Sequence, residues 1–167
     1  ESTAQVATNQ VATNGNGSNL IKNGNFVQGL EHWTASGAVS VVSLPGGGKS
    51  AFLTTGCVGS VCAVGNVRSE LKQSFAVGST LQVKFNYNFL SNEFPAFVGS
   101  VFNDAFEAKL IGPNGGSTLL ANESVNSSTF KPGNGTGFNG QTGPKSIDTT
   151  IKVSPGQYTL GFSVADK

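Results

Sequence analysis

Three oxygen-bearing side chains, Glu93, Asn103 and Asp104, lie close together in a chain that carries few charges. They flank the loop Ser91-Asn92-Glu93-Phe94-Pro95-Ala96-Phe97-Val98-Gly99-Ser100 and the Phe102-Asn103-Asp104 run that follows it. Carboxylate and amide oxygens, helped by loop carbonyls, suit calcium, which takes about six to eight oxygens and accepts irregular loops. The spacing matches no EF-hand. A structural reading competes with this one, in which Asn103 and Asp104 cap a turn by bonding nearby backbone N–H groups. A catalytic pair has less support. Glycoside hydrolysis needs two carboxylates at a set separation around a sugar-sized cleft, and the sequence displays neither.

Other catalytic patterns are missing. His32 is the sole histidine, and no Gly-x-Ser-x-Gly elbow surrounds a serine. Gly46-Gly47-Gly48-Lys49-Ser50 has the end of a phosphate loop but lacks its first glycine, and a strand-like Ala51-Phe52-Leu53-Thr54-Thr55 follows where a helix should. A non-enzymatic role is therefore expected. Cys57 and Cys62 sit in Gly56-Cys57-Val58-Gly59-Ser60-Val61-Cys62, where glycine and serine let a short loop close into a disulfide. Such a bridge fits an oxidising compartment. It would add on the order of 2 kcal/mol by restricting the unfolded chain.

The elements that must hold these residues are strands. Leu81, Val83, Phe85, Tyr87 and Phe89 alternate with Gln82, Lys84, Asn86 and Asn88, and after the loop Phe106, Ala108 and Leu110 share one face. A period of two gives each strand one buried and one wet face. Further strands are expected at 20–22, 39–44, 51–55, 70–77, 118–122, 147–153 and 157–165. Gly-Pro, Pro-Gly and Asn-Gly pairs punctuate them. Pro155-Gly156 joins two well-patterned runs and reads as a hairpin. The Gly/Ser/Asn-rich insertion 125–145, containing Phe130 and Phe138, either lies over the body or projects as a binding loop. No segment has a helical period. The expected class is all-β, a jelly-roll-type antiparallel β-sandwich over residues 19–167.

Residues 1–18 differ from the rest. Gln5-Val6-Ala7-Thr8-Asn9 is repeated as Gln10-Val11-Ala12-Thr13-Asn14, and Gly15-Asn16-Gly17-Ser18 follows. Polarity favours a linker. The β-branched residues Val6, Thr8, Val11 and Thr13 favour an extended strand instead, with the five-residue period turning its valines to opposite faces.

Charged residues make up 11% of the chain, against roughly 25% in a typical soluble domain. Asn, Ser and Thr supply the polar surface in their place, as in extracellular β-proteins. A net charge of +1 without a basic cluster argues against nucleic-acid binding. No apolar run is long enough for a membrane span. Met is absent altogether, so the start is that expected of a mature form freed of its signal peptide.

Two segments resemble known families. Asn19-Leu20-Ile21-Lys22-Asn23-Gly24-Asn25-Phe26, continuing to Gly29-Leu30-Glu31-His32-Trp33, resembles the opening of carbohydrate-binding-module-like jelly rolls. The run from Glu93 to Phe106 resembles a motif of bacterial choice-of-anchor-type proteins, with its acidic residue, aromatic and proline before Val98-Gly99-Ser100 and an aromatic-Asn-Asp. That resemblance implies a secreted bacterial protein displayed on the cell surface or in the matrix. Jelly rolls that open this way commonly close with a strand pairing near the first, yet this chain stops at Ala165-Asp166-Lys167. Either the sequence ends early or the closing strand comes from elsewhere. The 1–18 segment of a neighbour is the expected donor, by β-augmentation, and a head-to-tail contact of that kind builds filaments.

The resulting expectation is an extracellular structural or adhesive protein that self-associates. The alternative is a carbohydrate-binding module taking a polysaccharide through Phe94, Phe97 and Phe138. Trp33 and the two tyrosines fall at core positions, which weakens that alternative.

Overall fold

A computed structural model describes residues 2–58, 61–62, 67–101 and 104–166, with the side chains of 5–10, 57–58 and 61–62 outside the described set. Among the described residues there is no helix. The strands are β1 (Ser2–Asn14), β2 (Thr34–Ser36), β3 (Ala38–Ser43), β4 (Lys49–Thr54), β5 (Cys57–Val58), β6 (Val61–Cys62), β7 (Arg68–Val77), β8 (Thr80–Ser91), β9 (Ala105–Ile111), β10 (Ser117–Ser124), β11 (Lys131–Pro132), β12 (Gly140–Gln141), β13 (Lys145–Lys152) and β14 (Gly156–Ala165). One sheet runs β11-β12-β8-β1-β4-β3, with β13 also paired to β8. The second runs β10-β9-β14-β7-β2, and β5 and β6 form a separate ribbon. The strand pairs are antiparallel throughout, and the two large sheets make a β-sandwich.

Alternation builds the core as the sequence leads one to expect. Leu81, Val83, Phe85, Tyr87 and Phe89 of β8 are buried, as are Phe106, Ala108 and Leu110 of β9. The sheets meet through aromatic contacts. Phe85 packs edge-on to Phe162 of β14 with centroids 5.1 Å apart, and Tyr87 lies 4.8 Å from Phe106. Trp33 is a core residue, 5.4 Å from Phe26, and its indole N–H donates to the Asn23 carbonyl at 3.1 Å.

Four expectations need correction. Residues 2–14 are a strand and not a linker, and that strand lies inside its own chain's sheet. Residues 20–22 are not a strand: Leu20 N–H donates to the Ala12 carbonyl (2.6 Å), Ile21 N–H to Asn19 Oδ1 (3.1 Å) and Lys22 N–H to Gln73 Oε1 (2.7 Å), while Gln73 Nε2 donates to the Lys22 carbonyl (2.9 Å). Pro155-Gly156 is not a hairpin turn. β13 pairs with β8 while β14 pairs with β7 and β9, so the turn carries the chain from one sheet to the other. Both alternating patterns are genuine, but each buries its apolar face from a different layer. Finally, β14 has a partner on each side, so the expected open slot beside the last strand is filled from within the chain.

The insertion lies over the sandwich. Phe130 packs 5.9 Å from Phe89 and 5.4 Å from Phe94. Gly140 makes this packing fit, because a Cβ there would come 2.3 Å from the Phe130 ring and 2.5 Å from Phe94 Cβ. β12 then extends the outer side of β8 at Leu90 and Ser91.

Candidate functional site

β1 is central in its sheet, between β8 and β4. Against β8 its register runs from Ser2↔Ser91 to Ala7↔Asn86, slips, and resumes from Val11↔Lys84 to Asn14↔Leu81. Against β4 it pairs from Thr3↔Thr54 to Val6↔Ala51. The slip falls between the two repeats. Five β1 residues from Ala7 to Val11 stand against three on β8 from Asn86 to Lys84, and the two extra residues make a bulge. In register Val6 stands opposite Tyr87 and Val11 opposite Lys84. The side chains of Val6 and Thr8 lie outside the described set, and Val11 and Thr13 are half-buried.

Small side chains fit β1 to this place. Ser2, Thr3, Ala4 and Ala12 are wholly buried. The polar head of the strand is enclosed by hydrogen bonds. Ser2 N–H donates to Thr55 Oγ1 (2.9 Å), Thr55 N–H donates to the Ser2 carbonyl (2.9 Å), and Ser2 Oγ bonds Ser91 Oγ at 2.6 Å. At the other end Leu20 N–H donates to the Ala12 carbonyl (2.6 Å), and Asn19 Oδ1 accepts Ala12 N–H (3.2 Å). Between β1 and this return lies the exposed turn 15–18, where Gly17 takes a φ of 82° that suits glycine.

The acidic residues gather beside Ser2. Glu93 Oε2 accepts the Asp104 N–H at 2.7 Å, and Glu93 N–H donates to Ser91 Oγ at 3.0 Å. Asp104 Oδ2 accepts a hydrogen bond from the Thr55 hydroxyl (3.2 Å). Sequence reasoning missed the third member, Asp166. β14 and β9 are antiparallel with Ala165 opposite Ala105, so the next position on β14 falls beside Asp104. One oxygen from each of Glu93, Asp104 and Asp166 lies within 4.8 Å of the others. Only the sheet order could have revealed Asp166, because 61 residues separate it from the rest of the cluster. Asn103, expected as a ligand, lies outside the described residues.

Burial pushes the Asp104 carboxyl up to about 7; the Ser2 side chain opposes this, and the neighbouring Asp166 and Glu93 carboxyls add to it. None of the ion pairs among the described residues involves this trio.

A second polar cluster is self-contained. Glu123 of β10 is buried and accepts hydrogen bonds from the Tyr87 hydroxyl (2.7 Å) and from Lys145 Nζ (2.5 Å). Burial alone would raise the Glu123 carboxyl, but the bonds from Lys145 and Tyr87 win and hold it below its usual range. Tyr87 is pushed well above its usual range by burial and by the Glu123 carboxylate. This cluster ties β10 to β8 and β13.

The aromatic residues expected for sugar binding differ in exposure. Phe94 is half-buried against Phe130, Phe138 is half-buried in the insertion, and Phe97 is exposed. The backbone of Cys57 pairs directly with that of Cys62 across β5 and β6, while their side chains lie outside the described set.

The fold and this site define an all-β antiparallel sandwich whose first strand is a central one. In comparisons with known proteins, no family model and no curated sequence matches the chain.

Proposed function

We propose that this chain is a non-enzymatic extracellular structural subunit of a bacterial surface. It joins copies of itself by lending β1 to the slot between β8 and β4 of a neighbour. One observation carries this reading: β1, which the exposed turn 15–18 joins to the strands that follow, is a central strand. β8 and β4 pair with each other only through it. Withdrawing β1 leaves two facing unpaired edges and a trough where Ala4 and Ala12 were buried, and unpaired edges recruit strands.

A strand supplied by a neighbour makes the same contacts as one supplied in cis. Only the turn at 15–18 must open, along with the bonds from Leu20 and Asn19 to Ala12. This is domain swapping, and an exchange that does not close on itself gives a filament. A disulfide between Cys57 and Cys62 and a secreted location accord with this role. The carbohydrate-binding alternative has less support, because of Phe94, Phe97 and Phe138 only Phe97 is exposed.

Electron microscopy of the purified protein tests the proposal. Fibres are expected from the full chain and none after deletion of residues 1–18. Fibres formed equally well by the deleted chain would contradict it.

A further inference from the structure

We infer that Glu93, Asp104 and Asp166 form a binding site for a hard divalent cation, with calcium the best match. The inference stands on these residues alone and does not depend on strand donation.

Asp104 carries the argument. Its side chain is wholly buried, and while Oδ2 is engaged by Thr55, Oδ1 has no hydrogen-bond partner among the described residues. A buried oxygen left unpaired costs about 1–3 kcal/mol, and more if charged. Such an atom calls for a partner that the described side chains do not supply. Two further carboxylates converge on it within 4.8 Å. Three acids so close repel one another unless a proton or a cation lies among them.

The donors are all oxygens, with no thiol or imidazole among them, which selects a hard ion over zinc or copper. Burial is graded across the trio. Asp104 is enclosed, Glu93 half-buried and Asp166 exposed, so an ion enters from the Asp166 side and keeps water there. The protein ligands are also held in place. Glu93 is fixed by the Asp104 N–H, and the Asp166 backbone N–H donates to the Val67 carbonyl at 2.9 Å. Loop-borne carboxylates completed by water are a geometry that calcium accepts and magnesium, with its strict octahedron, accepts poorly.

The test is calorimetric titration of the chelator-treated full chain with calcium chloride at pH 7.5, repeated on Asp104→Asn and Asp166→Asn. Asp166 is exposed, so its variant is expected to fold. The expected result is one saturable site per chain and a higher melting temperature with calcium. In Asp166→Asn the affinity should fall by about tenfold or more, as loss of a charged ligand implies. Absence of saturable uptake at millimolar calcium would overturn the inference. So would uptake that is unchanged in both variants, since the ion would then sit elsewhere.

Discussion

The hydroxyls of Ser2 and Ser91 are hydrogen-bonded at 2.6 Å across 89 positions of sequence. Ser91 Oγ also accepts the Glu93 N–H, so one serine ends β8, starts the acidic loop and receives the head of β1. Ser91→Ala leaves the buried Ser2 hydroxyl and the Glu93 N–H without this acceptor. The expected loss is about 1–3 kcal/mol of unfolding free energy, read by urea denaturation of the monomer.

Length of the turn at 15–18 should control the balance between closed monomers and joined copies. Tight hinges invite swapping and longer ones relieve it. Deleting Asn16 and Gly17 is expected to raise the oligomeric fraction in size-exclusion chromatography. Inserting several Gly/Ser residues after Gly17 should raise the monomer fraction. Identical elution of both variants would remove the turn from the account.

The Glu123 cluster gives stability a pH dependence at both ends. Glu123 has a lowered carboxyl in the folded chain, so its contribution is present above the usual carboxylate range. It is lost as pH falls through the folded value. Tyr87 is raised, so the unfolded chain releases that proton first, and stability declines as pH climbs above about 10. Lys145→Met should flatten the acidic limb in a series of denaturant titrations from neutral pH downward, because Glu123 then loses the partner that holds its carboxyl low.

Calcium should slow the release of β1. Ser2 touches the acidic site twice, through Thr55 to Asp104 and through Ser91 to Glu93. An ion that fixes those acids also fixes the groups that bond Ser2. Hydrogen exchange at the Ala4 and Ala12 amides is expected to slow in millimolar calcium, and Asp166→Asn should cancel the effect.

Most of the strands were legible in the sequence, and the site much less so. The alternation from Leu81 to Phe89 locates β8 because one face is buried and the other wet. Glu93 and Asp104 were legible because they flank a single loop. Asp166 was not, since its place depends on β14 lying beside β9, a pairing that period-two patterning cannot specify. The same limit explains the false hairpin at Pro155-Gly156: adjacent alternating runs look alike whether they pair or divide between layers. Residues 20–22 look like a strand by composition, but the Asn19 and Gln73 side chains take bonds of Ile21 and Lys22 that a neighbouring strand would have made. Central placement of β1 was hidden by its composition, because a strand of Ala, Ser and Thr shows little hydrophobic contrast.

The central claim is that β1 can occupy the β8–β4 slot of another copy. Ser2→Cys and Ser91→Cys together place a disulfide where the two hydroxyls now meet. The double variant is assembled under conditions that yield fibres, oxidised, and run on denaturing gels without reductant, with the wild-type chain as the control for Cys57 and Cys62. Strand donation predicts a ladder of covalently linked oligomers that reductant collapses to one band. Fibres that yield only cross-linked monomers would show β1 kept in its own chain, and would contradict the account.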